Sequence, residues 1–266
     1  MDKLEILFNL NNRMFDYSNK ALRVVRIPKE IESLEVRKNN IELKKYKKSD
    51  TCYVIGLGPS LKYVNLDMLD GDIVTVNRYY KFDSEKRRKP TYYCVLDKAF
   101  FGRNAAKELK TAVYQYPDSC FILNGLYKPW CDKELSHKHL FYSYMWNGAF
   151  THKKKVDFTK VLPIANNVVN VAIMLAIYCE YKEIYLLGCD FNSFASPVSN
   201  HCYKDERLER LWKLDFELYC YSLIANSHSE LKRYADGKGI AIKNITKGSL
   251  IDAYDFDEEI IEKLYL

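Results

Sequence analysis

No apolar run in this 266-residue chain approaches the roughly 18 consecutive residues that a membrane-spanning helix needs. The opening Met1-Asp2-Lys3-Leu4-Glu5 lacks the charged-then-apolar pattern of an export signal. The 8 cysteines form no C-x-x-C pair and no regular spacing, so reduced thiols in a cytoplasmic protein are expected. There is no internal repeat and no low-complexity stretch. A hydrophobic content of 48% excludes disorder. No ribonucleoprotein motif accompanies the 22 Tyr and 13 Phe, and a net charge of +6 is too small for a nucleic-acid footprint. That charge suits an anionic small molecule or an anionic membrane surface.

The first 50 residues differ from the rest. Leu4, Ile6, Leu7, Leu10, Met14 and Phe15 make a helical apolar stripe, and a basic run follows at Lys44-Lys45-Tyr46-Lys47-Lys48. Residues 1–50 therefore read as a helical, basic extension, either packing on the core or a partner subunit or touching a membrane surface. Residues 51–266 read as a single α/β domain. Strands are predicted at Cys52–Ile55, Ile73–Val76, Tyr92–Leu96, Cys120–Leu123, Glu183–Leu187 and Ile240–Lys243, with helices at Asn166–Tyr181 and Asp205–Asp236. Alternating short apolar strands and helices predict a mostly parallel sheet with helices on both faces, a Rossmann-like domain.

The densest signal is Cys52-Tyr53-Val54-Ile55-Gly56-Leu57-Gly58-Pro59-Ser60-Leu61, a strand running into a glycine turn and a helix start. Such a turn lets backbone N–H groups approach a phosphate or ribose. It is not a dinucleotide fingerprint, because Leu61 stands where G-x-G-x-x-G needs its third glycine. Ligands of a parallel sheet sit outside the carboxyl ends of the strands. Those ends read Gly56 to Gly58, Asn77, Asp97, Asn124, Asp190 and Asn244. Asn and Asp also favour ordinary turns, but their accumulation at one edge marks that edge as the site.

Three segments carry a resemblance: Gly56-Leu57-Gly58-Pro59-Ser60-Leu61-Lys62, Asp72-Ile73-Val74-Thr75-Val76-Asn77-Arg78-Tyr79-Tyr80, and Tyr181-Lys182-Glu183-Ile184-Tyr185-Leu186-Leu187-Gly188-Cys189-Asp190-Phe191. In this order they resemble the bacterial family 42 sialyltransferases and related transferases that modify flagellin or build capsules. The similarity spans roughly residues 50–255. It implies a GT-A-like nucleotide-binding domain that takes a CMP-activated nonulosonic acid without a metal. It would place the donor over Gly56, Gly58, Pro59 and Ser60, with Asn77 at the ribose or phosphate, Asp97 after the third strand, and Asn166 and Asn167 against the nucleotide. Two positions depart from the family pattern. Leu57 replaces an asparagine between the glycines, and Asn192 replaces a phosphate-holding tyrosine; for the family's second phosphate tyrosine the candidate is Tyr203. A UDP- or dTDP-sugar therefore stays open beside the CMP-sugar.

Inverting glycosyl transfer needs a base for the acceptor hydroxyl and groups that stabilise the departing phosphate. Histidine suits the base, with an ordinary pKa of about 6.5. His201, in a loop between the Asp190 strand end and the long helix, stands in the loop-before-helix setting where the resembling family keeps its base. His228, late in that helix, is the second candidate. Tyr203, Lys204, Lys247 and Ser249 are candidates for the phosphate. Cys131, His137 and His139 match no zinc spacing. Asp70-Gly71-Asp72 and Asp255-Phe256-Asp257 read as turns or solvated faces rather than a metal-binding D-x-D. No metal and no cofactor are expected. The expected partners are a nucleotide-sugar donor and a surface-glycan acceptor, free or lipid-linked. The expected setting is the cytoplasm or the inner membrane face, and self-association and membrane contact both stay open. Two alternatives remain: a Mg²⁺-dependent nucleotide-sugar transferase or diphosphokinase-like enzyme using Asp97 and Asp190, and a non-catalytic nucleotide-binding module.

Overall fold

The computed structural model of the chain describes Met14 and residues 33–82, 88–102, 106–196, 201–204 and 212–265. The strands are β1 (Thr51–Ile55), β2 (Asp72–Val76), β3 (Tyr92–Val95), β4 (Cys120–Asn124), β5 (Leu140–Ser143), β6 (Met145–Ala149), β7 (Leu162–Ile164), β8 (Glu183–Leu187), β9 (Ala241–Asn244) and β10 (Asp255–Phe256). Eight of them form one sheet in the order β10-β9-β8-β1-β2-β3-β4-β5, and β6 pairs with β7 separately. Every pairing in the large sheet is parallel. The chain leaves β1 towards β2–β5 and returns on its other side as β8, so the strand order reverses between β1 and β8. At such a reversal the connections diverge to opposite faces and open a crevice at the carboxyl edge.

The helices are α1 (Leu34–Lys38), α2 (Tyr79–Phe82), α3 (Ala106–Gln115), α4 (Lys128–Glu134), α5 (Val168–Tyr178), α6 (Leu214–Asp236) and α7 (Glu258–Leu264). Side chains alternate across β1, sending Cys52 and Val54 to one face and Ile55 to the other. The first face is covered by α5 and by Leu231 and Ala235 of α6. The second is covered by Leu109, Ala112 and Val113 of α3 and by Ile261 and Leu264 of α7. α5 is apolar on nearly all sides, and it packs against both the sheet and α6. The expected α/β architecture, with a parallel sheet and helices on both faces, is the one observed.

Several boundaries differ from the sequence reading. The long helix begins at Leu214, with Trp212 and Lys213 outside it and residues 205–211 outside the described residues. Asp215 and Glu217 fall in its first turn, where acidic side chains complement the helix dipole. α5 begins at Val168, because Asn166 has a positive φ of 58° and the side chain of Asn167 caps Val169 N at 2.7 Å. β5, β6, β7 and β10 were not foreseen. Asp72, read as part of a turn or solvated face, is a buried carboxylate. It accepts from Lys48 N (2.6 Å), Ser49 N (3.1 Å), Thr91 Oγ1 (2.7 Å) and Tyr181 OH (2.6 Å).

Of the N-terminal apolar stripe, only Met14 is among the described residues. The segment from Ser33 onward is packed into the domain. Leu43 is fully buried, and Asn40 Nδ2 donates to Tyr142 O and Phe158 O, each at 2.8 Å. The basic run is largely neutralised by neighbours: Lys44 pairs with Glu180, Lys45 with Glu42 and Lys47 with Asp50. All eight cysteines are free thiols.

Candidate functional site

The crevice at the β1/β8 reversal is built by two turns that pack backbone against backbone. Gly56 N donates to Leu187 O and Gly58 N to Gly188 O, both at 2.8 Å. The glycines are required by this crossing. A Cβ on Gly56 would lie 2.5 Å from Gly188 O, and one on Gly58 would lie 1.9 Å from Asp190 Oδ2. Asp190 in turn accepts from Ser60 N at 3.0 Å and from Ser60 Oγ at 2.8 Å. Burial raises the Asp190 pKa, and the two Ser60 hydrogen bonds oppose that rise. The turn is therefore not the open amide cradle that its glycines suggested. The N–H groups of Gly56, Gly58 and Ser60 are committed inside the protein, and Leu57 N is the turn amide without a partner among the described residues.

Around these turns lies a cavity of about 200 Å³. Gly56, Gly58, Pro59, Asn77, Asn167, Asp190 and His201 all line it. Ser60 adjoins it through Asp190. Leu57, Val168, Phe191, Asn192, Ser193, Tyr221, His228 and Ile251 complete most of the wall. Asn77 ends β2 with a φ of 48°, its N–H bound to Cys94 O and its carbonyl to Tyr93 OH, while its side-chain Oδ1 is buried without a partner. Among the described residues four non-glycines have positive φ, and Asn77, Asn166 and Phe191 at this edge are three of them. For a residue as bulky as phenylalanine this conformation is strained, and such strain collects at functional sites.

Other anticipated residues lie outside the lining. Asn124 donates to Leu96 O and accepts from Leu126 N, and Asp97 accepts from Ala99 N, so both work as caps. Ser249 donates to Cys189 O at 2.7 Å and accepts from Ile251 N, which fixes the loop behind the cavity. Asn244 is fully buried and braces the same loop through Ile251 O. Tyr203 is buried beside Arg78, with Lys81 Nζ 5.7 Å from its ring. Lys204 and Lys247 are exposed. Among the described residues no three His, Cys, Asp or Glu side chains gather to hold a metal.

The two candidate bases differ sharply. His201 is half-buried on the cavity wall, and its loop is pinned to the glycine turn by Cys202 N donating to Leu57 O at 2.9 Å. His228 is 1% exposed, and burial pushes its pKa down to about 3. An imidazole so hard to protonate is a weak base at neutral pH. Phe191 and Tyr221, with ring centroids 4.5 Å apart, form a wall that the sequence reading did not foresee, and Tyr221 bonds to Ser193. A larger depression of about 630 Å³ lies near the opposite sheet edge, before β8 and β9, away from the strand ends that carry these turns.

A sequence model of the family described as 6-hydroxymethylpterin diphosphokinase MptE-like matches residues 27–194, well over half of the chain. The chain belongs to the MptE-like family. The match takes in the glycine turn, Asn77, Asp190 and the Phe191 bend. No protein of curated function matches this MptE-like chain. Among solved structures it is similar to the sialyltransferase CstII from Campylobacter jejuni in complex with the substrate analogue cytidine-5'-monophosphate. That likeness has a TM-score of 0.50 and 17% identity, covering 77% of this chain and 84% of the other. It is also similar to the Maf glycosyltransferase from Magnetospirillum magneticum AMB-1, with a TM-score of 0.52 and 11% identity over 85% of this chain and 38% of that one. At these identities the likeness is one of fold.

Proposed function

We propose that this MptE-like chain is an inverting glycosyltransferase that binds a CMP-activated nonulosonic acid at the β1/β8 crevice and passes the sugar to a hydroxyl of a surface glycan. The observation that carries the reading is the crossing of the Gly56–Ser60 and Gly188–Asn192 turns at the strand-order reversal, with His201 on the wall of the cavity they enclose. The same fold in CstII, solved with CMP, supports the nucleotide.

In the proposed reaction the acceptor oxygen bonds to the anomeric carbon as the bond from that carbon to the phosphate oxygen breaks. The electron pair leaves with CMP, and the acceptor proton passes to His201. Asn77 and Asn167 hold the nucleotide, and Leu57 N is free to donate to it. The experiment is a thermal-shift panel of CMP, UDP, dTDP and ATP, each with Mg²⁺ or with EDTA, followed by a CMP-sugar transfer assay on His201→Ala. CMP at about a hundredfold over its dissociation constant should add about 2.7 kcal/mol, with or without EDTA. His201→Ala should keep that stabilisation and lose on the order of 10²–10⁴-fold in transfer rate, together with the acidic limb of the pH–rate profile. Unchanged transfer by His201→Ala would remove histidine catalysis from the reading.

The family description favours a second reading, a diphosphokinase acting on a hydroxymethylpterin. Stabilisation only by ATP with Mg²⁺, and none by CMP in EDTA, would select it.

A further inference from the structure

His228 lies on α6, is 1% exposed and lines the cavity, yet the proposed transfer gives it no task. Its Nδ1 lies 3.1 Å from Tyr254 OH, with the two rings edge to face at 5.6 Å and 89°. Phe191 meets the imidazole at 6.0 Å and 81°. Tyr254 is itself buried, and burial raises its pKa well above the usual phenol value, so it keeps its proton.

That proton has one acceptor. Among the described residues neither ring has a second hydrogen-bond partner, so the phenol donates to Nδ1. The reverse arrangement, Nδ1–H donating to the phenol oxygen, would strand a buried hydroxyl proton with no acceptor. The neutral imidazole then carries its hydrogen on Nε2, which has no partner among the described residues. Among the described residues the ionisable groups around it are Tyr254, Tyr221, Cys189, Asp190 and His201, and the only cause lowering its pKa is burial.

We propose that His228 is a ligand-binding residue, held by Tyr254 as the Nε2–H tautomer, that donates a hydrogen bond to an uncharged acceptor oxygen of the bound nucleoside, a base carbonyl or a ribose hydroxyl. The inference rests on the reading of the cavity as a nucleotide site. It assigns the two cavity histidines opposite tasks: His201 receives a proton, and His228 keeps the one it has. Because His228 lines the cavity, a ligand oxygen that accepts from this N–H gains selectivity over one that cannot.

The test uses the full chain labelled with ¹⁵N-histidine. Long-range ¹H–¹⁵N spectra without ligand should show His228 as the Nε2–H tautomer, unchanged between pH 5 and 8, and CMP should shift the Nε2 resonance. His228→Phe should weaken CMP binding on the order of tenfold, His228→Gln should restore part of it, and Tyr254→Phe should mix the tautomers. Cytidine and ribose 5-phosphate place the acceptor: a defect with cytidine alone marks the base, and one with both marks the ribose. An Nδ1–H tautomer, titration between pH 5 and 8, or wild-type CMP affinity in a folded His228→Phe protein would overturn the inference and leave the nucleotide site standing. A wild-type chain that binds no CMP would overturn the nucleotide reading and this inference with it.

Discussion

Ser60 and Asp190 form a two-point clamp, with Ser60 N and Oγ both donating to one carboxylate at 3.0 and 2.8 Å. The clamp ties the first turn after β1 to the turn after β8, and Gly58 leaves the space through which the carboxylate reaches across.

Gly58→Ala puts a methyl where Asp190 Oδ2 now lies. The carboxylate must swing away from Ser60, at a cost of about 1–3 kcal/mol from overpacking alone. Urea denaturation should show this loss, and CMP should no longer raise the melting temperature. An alanine variant with unchanged stability and CMP response would mean that the clamp is not needed.

The clamp also has a pH signature. Burial makes the folded chain hold the Asp190 proton more tightly than the unfolded chain does. From the ordinary carboxylate range near about 4 up to the raised folded value, the folded state therefore binds more protons, and this group's contribution to stability declines as pH rises. Asp190→Asn removes that decline while its amide oxygen still accepts from Ser60 N. Melting temperatures measured from pH 4 to 7 should fall less, or rise more, with pH in the variant than in the parent. Superimposable profiles would assign Asp190 an ordinary carboxylate.

Asn77 combines an unusual backbone with an unpaired side-chain oxygen, and two substitutions separate them. Asn77→Gly keeps the positive φ and removes the amide. Asn77→Ala removes the amide and adds backbone strain of about 1 kcal/mol. Both should lose CMP affinity, on the order of 1–3 kcal/mol where a ligand donor is left unpaired, and only alanine should also lose stability. Retained affinity in the glycine variant would make Asn77 a turn residue.

We propose that the segment containing Asn40 and Leu43 belongs to the folded unit that the sequence reading began at residue 51, because both are core residues. A chain lacking residues 1–45 should fail to fold cooperatively, whereas Leu43→Ala in the full chain should cost about 2–5 kcal/mol. Circular dichroism melts decide it, since a truncated chain that unfolds sharply near the parental temperature would restore the boundary at Thr51.

The six predicted strands were legible because each is a short run rich in β-branched, aromatic or cysteine residues ending in a turn former. β6, Met145-Trp146-Asn147-Gly148-Ala149, was not, because Asn and Gly in its middle argue against a strand and only pairing with β7 overrides that local preference. Strand ends also gave the position of Gly56, Gly58, Asn77 and Asp190, since in a parallel sheet all carboxyl ends share one edge, and His201 was placed by its loop between the Asp190 strand end and the long helix. Phe191, Tyr221 and the partnering of His228 with Tyr254 were hidden for a different reason. They depend on how α6 is rotated and slid against the sheet, and a helix with this mixture of polar and apolar residues does not announce its angle in its spacing.

The Ser60–Asp190 clamp joins residues 130 positions apart in the chain. During synthesis the glycine turn emerges early, when the strand that completes the cavity has not been made. Closing so long a loop is an entropic cost that few contacts offset until β8 docks beside β1. A ligand of this crevice can therefore act as a stabiliser of the finished chain but gives no help to the nascent one, and the first half must resist aggregation on its own strands.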